Sequence, residues 1–334
     1  MDIMSKKSIF SRKSKREKRK KIIITSLVTI LVLLLISAIT YFGIDYYKSG
    51  KIFSKKQSKN IQQEIALGDK SQVQKETRIE TKKEEQIKTS LPTDINQNSN
   101  TSIEGDKYTF SGAEVQRVNE KSTPTDGKKV VFLTFDDGPS MNNTPKILDI
   151  LKANDVKATF FIMTKNFIDN PATAEILKRE LIEGHAIGNH SSSHDYKKLY
   201  PNRKANMNNI MEDFTTANNT LKSILGEAFE TKVIRFPGGS MSWKELQPVK
   251  EAFIAKGISY VDWNVDSSDA KSLKRTKDEI VAEVKKEVEA NEGAKLDKIT
   301  ILMHDARAKD ATVQALPEII TYLKDKGYEF KTLK

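Results

Sequence analysis

The stretch Val130-Val-Phe-Leu-Thr-Phe-Asp-Asp-Gly-Pro139 decides how the rest of the chain is read. Its uncharged, largely β-branched and aromatic opening predicts a strand from Val130 to Phe135, buried on both faces and therefore paired in parallel. Two adjacent carboxylates close it. About fifty residues later His190-Ser-Ser-Ser-His194 supplies two imidazoles. One carboxylate and two imidazoles form a three-point set for a catalytic divalent ion, with positions left open for water and substrate. The second carboxylate can stay off the ion and act as a general base, so the pattern points to metal-assisted hydrolysis.

Outward from that strand, β-branched runs alternate with amphipathic stretches as far as Lys334. Further strands are expected at Ala158–Met163, Ala186–Gly188, Val233–Arg235, Ile258–Asp262, Ile299–Met303 and Phe330–Leu333. Thr144-Pro145 and Asn170-Pro171 read as N-caps with proline at the first helical position, and helices are expected near 204–225, 243–256, 276–290 and 312–326. Strand and helix in alternation imply parallel strands with helical crossovers, in a closed or distorted barrel. Chemistry in such folds gathers where strands end. Asp136, Asp137, His190, His194, Arg235, Asp262 and His304 all fall there.

His190 and His194 would stand about 13 Å apart on an extended strand, too far to share an ion. A compact helical turn is therefore expected, with both rings facing Asp137 and Ser191–Ser193 serving backbone adaptability. His185 lies within a strand and is read as structural.

The net charge of +11 is almost wholly N-terminal, with ten Lys/Arg against two acidic residues in 1–21, which removes the case for a nucleic-acid partner. This basic block precedes an uncharged run, Ile22–Phe42, of about 21 residues, or ~30 Å as a helix. Tyr41, Tyr46 and Tyr47 suit the far interface. The expectation is a cytoplasmic segment over 1–21 and a single-pass transmembrane signal anchor over 22–44, at the cell membrane with everything beyond exported. The competing reading is a cleaved signal peptide, against which stand the length of the run and a bulky Ile36 in Ile36-Ser-Ala38. Residues 45–127, rich in Lys, Glu, Gln, Ser and Asn, read as an extracellular stalk, with a small unrecognised domain as the alternative and Tyr108-Thr-Phe110 and Val115 hinting at a strand near its end. The chain has no cysteine, which excludes disulfides, thiolate nucleophiles and thiolate-bound zinc.

Five motifs occur in order: Thr134-Phe-Asp-Asp-Gly138, His190-Ser-Ser-Ser-His194, Arg235-Phe-Pro-Gly-Gly239, Asp262-Trp263 and Leu302-Met-His304. Over residues 128–334 the chain resembles the polysaccharide deacetylases, the NodB-homology group of carbohydrate esterase family four. The resemblance implies a distorted (β/α) barrel of about seven strands that hydrolyses acetyl groups on polymeric sugars. It assigns Asp136 as general base, Asp137, His190 and His194 as ligands of zinc or another divalent ion such as cobalt, and His304 as general acid. Arg235 would orient Asp136, Asp262 would pair with His304, the Gly238 N–H would bind the oxyanion, and Trp263 and Leu302 would wall the acetyl methyl. Many relatives carry an aromatic residue where Gly238 stands, so a more open groove is expected there. Anchor and stalk favour peptidoglycan N-acetylglucosamine as substrate. The alternatives are a chitin-like or biofilm poly-N-acetylglucosamine, a non-catalytic glycan-binding module, and an iron oxygenase, in which base, acid and Arg235 would have no part. Oligomeric state does not follow from the residues.

Overall fold

The structure, a computed structural model, describes residues 95–121 and 126–334. Its elements in order are β1 (Thr109–Phe110), α1 (Gly112–Lys121), β2 (Val130–Asp136), α2 (Thr144–Ala153), β3 (Thr159–Ile162), α3 (Lys165–Asp169), α4 (Thr173–Ile182) and β4 (Ala186–Asn189). Then follow α5 (Tyr196–Leu199), α6 (Met207–Leu225), β5 (Val233–Ile234), α7 (Gln247–Ala255), β6 (Ser259–Tyr260), β7 (Val265–Asp266), α8 (Lys277–Gly293), β8 (Lys298–His304), α9 (Asp310–Asp325), β9 (Glu329–Phe330) and β10 (Thr332–Leu333).

The main sheet runs β6-β5-β4-β3-β2-β8-β7, with β9 also on β2, and every pairing is parallel. Its two ends, β6 and β7, are joined only by Val261–Asn264. Five peptide steps hold Tyr260 and Val265 no more than about 18 Å apart, so the sheet must curl into a distorted barrel. The side-chain period of two on β2 sorts the two faces. Val131, Leu133 and Phe135 pack outward against Leu148 and Leu151 of α2 and Ile319 and Ile320 of α9. Val130 and Phe132 cluster inside the barrel with Phe161 of neighbouring β3, Val233 of β5 and Val261 just past β6, the last two from segments distant along the sheet. Thr134 and Asp136 continue that inner row, which carries Asp136 to the barrel mouth.

The folded unit begins earlier than the expected boundary at Lys128. Residues 95–121 wrap the barrel: β1 pairs in parallel with β10, and Val115 of α1 is buried in the inner core. Backbone bonds from Asn98 to the Ala228 carbonyl (2.9 Å) and from Ile187 to the Asn100 carbonyl (3.0 Å) add to these, and polar side chains make further attachments. Asn100 Nδ2 donates to the carbonyls of Ile187 (3.2 Å) and Leu333 (2.9 Å), Gln116 Oε1 accepts from the Tyr260 N–H (3.1 Å), and Asn119 Nδ2 donates to the Asp262 carbonyl (3.1 Å). The strand hint at Tyr108–Phe110 is β1, whereas Val115 is helical. The expected anchor, Ile22–Phe42, and the stalk before residue 95 lie outside the described residues. Among the described residues no helix is long and apolar enough to cross a membrane.

Two expected caps differ. Thr144 is the first residue of α2 rather than its cap, because its hydroxyl donates to the Asp305 carboxylate and accepts from the Ser140 N–H (2.7 Å). Asn170 turns the chain by accepting from the Ala172 N–H (3.2 Å), and α4 starts three residues later at Thr173.

Candidate active site

At the end of β2 the two carboxylates part. Asp136 stays in extended strand and is buried, while Asp137 takes a left-handed φ of +71° and turns toward the solvent side of the mouth. Asn166 fixes the turn by donating to the Asp137 carbonyl at 2.8 Å. Gly138 is required next: a Cβ there would lie 2.0 Å from an Asp305 carboxylate oxygen. Asp305 is wholly buried, and burial, only partly offset by the Thr144 hydrogen bond and reinforced by the charges of Asp137 and Asp136, pushes its carboxyl up to about 7.

His190 and His194 do converge on Asp137, but not through a helical turn. Ser191 (φ +75°) and His194 (φ +51°) are both left-handed. Such backbone needs external support. Asn189 Oδ1 accepts from the Ser191 N–H (2.8 Å), and buried Asp213 of α6 accepts from the N–H groups of Ser192 (2.8 Å) and Ser193 (3.0 Å). Nε2 of His194 lies 3.3 Å and Nε2 of His190 3.5 Å from Asp137 Oδ1, an oxygen that is buried with no hydrogen-bond partner. The three ligand atoms of Asp137, His190 and His194 lie within 4.8 Å of one another.

The donor set fits a divalent ion. His190 Nδ1 is 2.9 Å from the Arg235 carbonyl, which can only accept, so Nδ1 carries the proton and the Nε2 lone pair faces Asp137. Burial, then the neighbouring His194, pushes the His190 imidazole down to about 3, which keeps it in the neutral ligand form.

Arg235 stands where the sequence reading expects it. It lies fully buried in the barrel, with its guanidinium 4.1 Å over the Phe161 ring. Nη1 donates to Asp136 Oδ1 (2.7 Å) and Thr134 Oγ1 (2.8 Å), and Nε to the Val261 carbonyl (2.8 Å). Burial still outweighs this cation and raises the Asp136 pKa above its ordinary value.

The partner expected for His304 is corrected. His304 Nδ1 meets Asp269 Oδ1 at 2.7 Å, and the other oxygen of Asp269 accepts from the His304 N–H (2.8 Å) and Thr312 Oγ1 (2.7 Å). Asp262 instead accepts the Ser240 N–H on both oxygens, at 3.1 Å each, at the end of the Arg235 loop. The physical reason is the short strand β7, which carries the chain past Asp262 and delivers Asp269 beside β8. Burial works against a charged His304, but the hydrogen bond and charge of Asp269, helped by Asp136 and Asp137, prevail and raise its pKa to about 9. His185 is structural as expected: buried, with Nδ1 accepting from the Ala158 N–H (3.1 Å).

Asp136, Asp137, His190, His194, Gly238, Trp263, Leu302 and His304 face one cleft of about 370 Å³. A second, of about 770 Å³ and lined by Met141, Asn166 and Arg307, shares Asp137 and His194 with it, so the ligand set stands between two open grooves. Gly238 is left-handed (φ +77°), and its N–H has no partner among the described residues. The groove beside it is not open as expected. A Cβ on Gly238 would sit 3.1 Å from Trp243 and 3.2 Å from Tyr196 Oη, so two rings from other segments fill that space. Gly239 likewise makes room for Trp263, 2.7 Å from where its Cβ would be. Asp213, Asp269, Asp305 and Tyr196 are the site residues that sequence reading missed. Only Asp269 carried a local signal, as a second acidic residue in Asp266-Ser-Ser-Asp269.

Comparison with known proteins gives the family. A family model described as polysaccharide deacetylase matches residues 123–254. The chain is 36% identical over 204 residues to a peptidoglycan-N-acetylglucosamine deacetylase of Bacillus cereus, covering 61% of this chain and 69% of that protein. Among solved structures it is similar to a carbohydrate esterase family four esterase of Streptococcus mutans, with a TM-score of 0.66 and 39% identity over 73% of this chain and 99% of that one. The catalytic domain of a peptidoglycan N-acetylglucosamine deacetylase from Eubacterium rectale aligns with a TM-score of 0.54 at 30% identity, covering 64% and 91%. The chain belongs to the polysaccharide deacetylase family, the hydrolases of carbohydrate esterase family four.

Proposed function

We propose that this protein is a metal-dependent hydrolase that removes acetyl groups from N-acetylglucosamine residues of peptidoglycan and releases acetate. The observation that carries the reading is the convergence of Asp137, His190 and His194, with Asp136 and His304 facing the same cleft and held from behind by buried Arg235 and Asp269. Zinc is the proposed ion, and cobalt or another divalent cation suits the same two imidazoles and one carboxylate. Bound there, it supplies Lewis-acid polarisation of the acetyl carbonyl and a lowered pKa for water.

The chain's own residues move the protons. Asp136, kept basic by burial and held in one rotamer by Arg235, accepts a proton from the attacking water. The Gly238 N–H stabilises the oxyanion. His304, kept protonated by Asp269, donates from Nε2 to the departing sugar amine. Trp263 and Leu302 wall the acetyl methyl. Clefts on both sides of the ligand set suit a polymer better than a free sugar, and the relatives' named substrate supports peptidoglycan. The proposed location is the outer face of the membrane, held by the apolar run Ile22–Phe42 behind its basic block.

The test is acetate release from purified wall glycan, from chitin oligomers and from poly-N-acetylglucosamine, with zinc or cobalt added, followed by mass analysis of the digested wall. Loss of acetyl from the glucosamine of peptidoglycan supports the reading. Turnover confined to the other polymers, or none with metal bound, defeats it.

A further inference from the structure

We propose that Tyr196 determines substrate recognition at this site, its ring being the platform on which the pyranose of the reacting sugar stacks. The inference rests on the reading of the protein as a glycan deacetylase and names the side chain that holds the sugar.

Tyr196 opens α5, two residues after the ligand His194. Asp195 caps that short helix by accepting from the N–H groups of Lys197 (2.8 Å) and Lys198 (3.4 Å), which fixes where the chain points Tyr196. The ring lines the cleft that holds Asp136, Asp137 and His304, and it is 44% exposed although aromatic. Its centroid lies 5.2 Å from the His194 ring. A group resting on it is therefore beside the ligand set, at the reacting sugar and not at a remote subsite.

The ring is braced before any ligand arrives. Trp243 meets it edge-on at 5.0 Å and 60°, and is itself stacked on buried Tyr200 at 4.0 Å and 4°. The Trp243 indole N–H donates to the Pro237 carbonyl at 2.8 Å, tying this stack to the Arg235–Gly239 loop. Gly238 completes the arrangement, since any Cβ there would crowd both Trp243 and Tyr196. A preorganised aromatic face loses little entropy on binding. The pyranose is the group that matches it: one face of C–H bonds to lie on the electron-rich ring, and a polar rim for the carboxylates and imidazole around it.

Stacking is present in ground and transition states alike, so its loss raises KM and spares kcat. Withdrawing on the order of 50 Å² of apolar contact corresponds to about a tenfold loss of affinity. The experiment measures acetate release from chitotetraose by the full-length chain, with zinc content measured in parallel. The chain's two tryptophans, Trp243 and Trp263, lie against Tyr196 and in the cleft, so their fluorescence reports binding directly. Tyr196→Ala should raise KM and the fluorescence Kd about tenfold, with kcat within about twofold and zinc retained, and Tyr196→Phe should restore both constants. An unchanged KM in Tyr196→Ala overturns the proposal, as does a joint loss of kcat and zinc, which would make the ring a brace for His194. If the parent chain binds tetraose but releases no acetate, and Tyr196→Ala still weakens binding, the deacetylase reading fails while the platform stands.

Discussion

Replacing Asp269 by Asn tests the acid side of the proposed mechanism. The Asp269 carboxylate accepts three donors: His304 Nδ1 at 2.7 Å, the His304 N–H at 2.8 Å and Thr312 Oγ1 at 2.7 Å. Its hydrogen bond, and then its charge, are the main reasons why burial does not prevail and the His304 pKa is raised from 6.5 to about 9. That difference is worth about 3 kcal/mol in favour of imidazolium. Because the pKa is raised, the acid form is present at neutral pH and is lost only as pH climbs through 9. Asparagine keeps one accepting oxygen and turns an N–H2 toward groups that themselves donate. With only the charges of Asp136 and Asp137 left to oppose burial, the alkaline limb of kcat/KM should fall from near 9 to roughly 7, with activity at pH 8 down about tenfold and activity at pH 6 much less affected. The assay is acetate release from an N-acetylglucosamine oligomer between pH 6 and 10 at saturating metal, with melting curves to verify folding. Asp262→Asn is the control. Its carboxylate serves only the Ser240 N–H among the described residues, so the limb should stay near 9. A limb unmoved in Asp269→Asn, or moved in Asp262→Asn, refutes the assignment of the pair.

Three other outcomes are expected. Asp136→Asn should retain the metal and lose about 10²- to 10⁴-fold in kcat, whereas His190→Ala should lose metal and turnover together; metal analysis beside kinetics separates them, and near-normal turnover of Asp136→Asn removes it as the base. Asp213→Ala deprives the N–H groups of Ser192 and Ser193 of their acceptor, so calorimetric metal titration should show affinity about 10- to 100-fold weaker. A chain begun at Lys128 lacks the buried Val115 and Val118 of α1, and should be less stable than one begun at residue 94 by roughly 2–5 kcal/mol in urea; equal stability would mean that residues 95–121 only decorate the barrel.

Two kinds of segment escaped sequence reading. Strand β7 is two residues long, too short for an alternation to register, whereas the equally short β5, β6, β9 and β10 fall in or beside the apolar runs expected at 233–235, 258–262 and 330–333. The family resemblance gave Asp262 the role that Asp269, three residues beyond β7, fills. Residues 95–121 were read as spacer because their attachment rests on main-chain bonds and on the amides of Asn100, Gln116 and Asn119 as well as on a few apolar side chains. Composition counts such residues as solvated.

The sequence by itself determined the barrel's central strand, the alternation around it and the identity of most of the chemical groups: Asp136, Asp137, His190, His194, Arg235 and His304 are all legible from type, order and strand-end position. Those features are local, written in side-chain period and spacing. Tertiary structure alone decided how the groups meet. The left-handed turn that aims His194 is held by Asp213 from a helix some twenty residues on, His304 takes its partner across from β7, and the wall beside Gly238 comes from Tyr196 and Trp243. Each is a contact between segments remote along the chain, whose geometry arises only when the curled sheet brings their ends to one mouth.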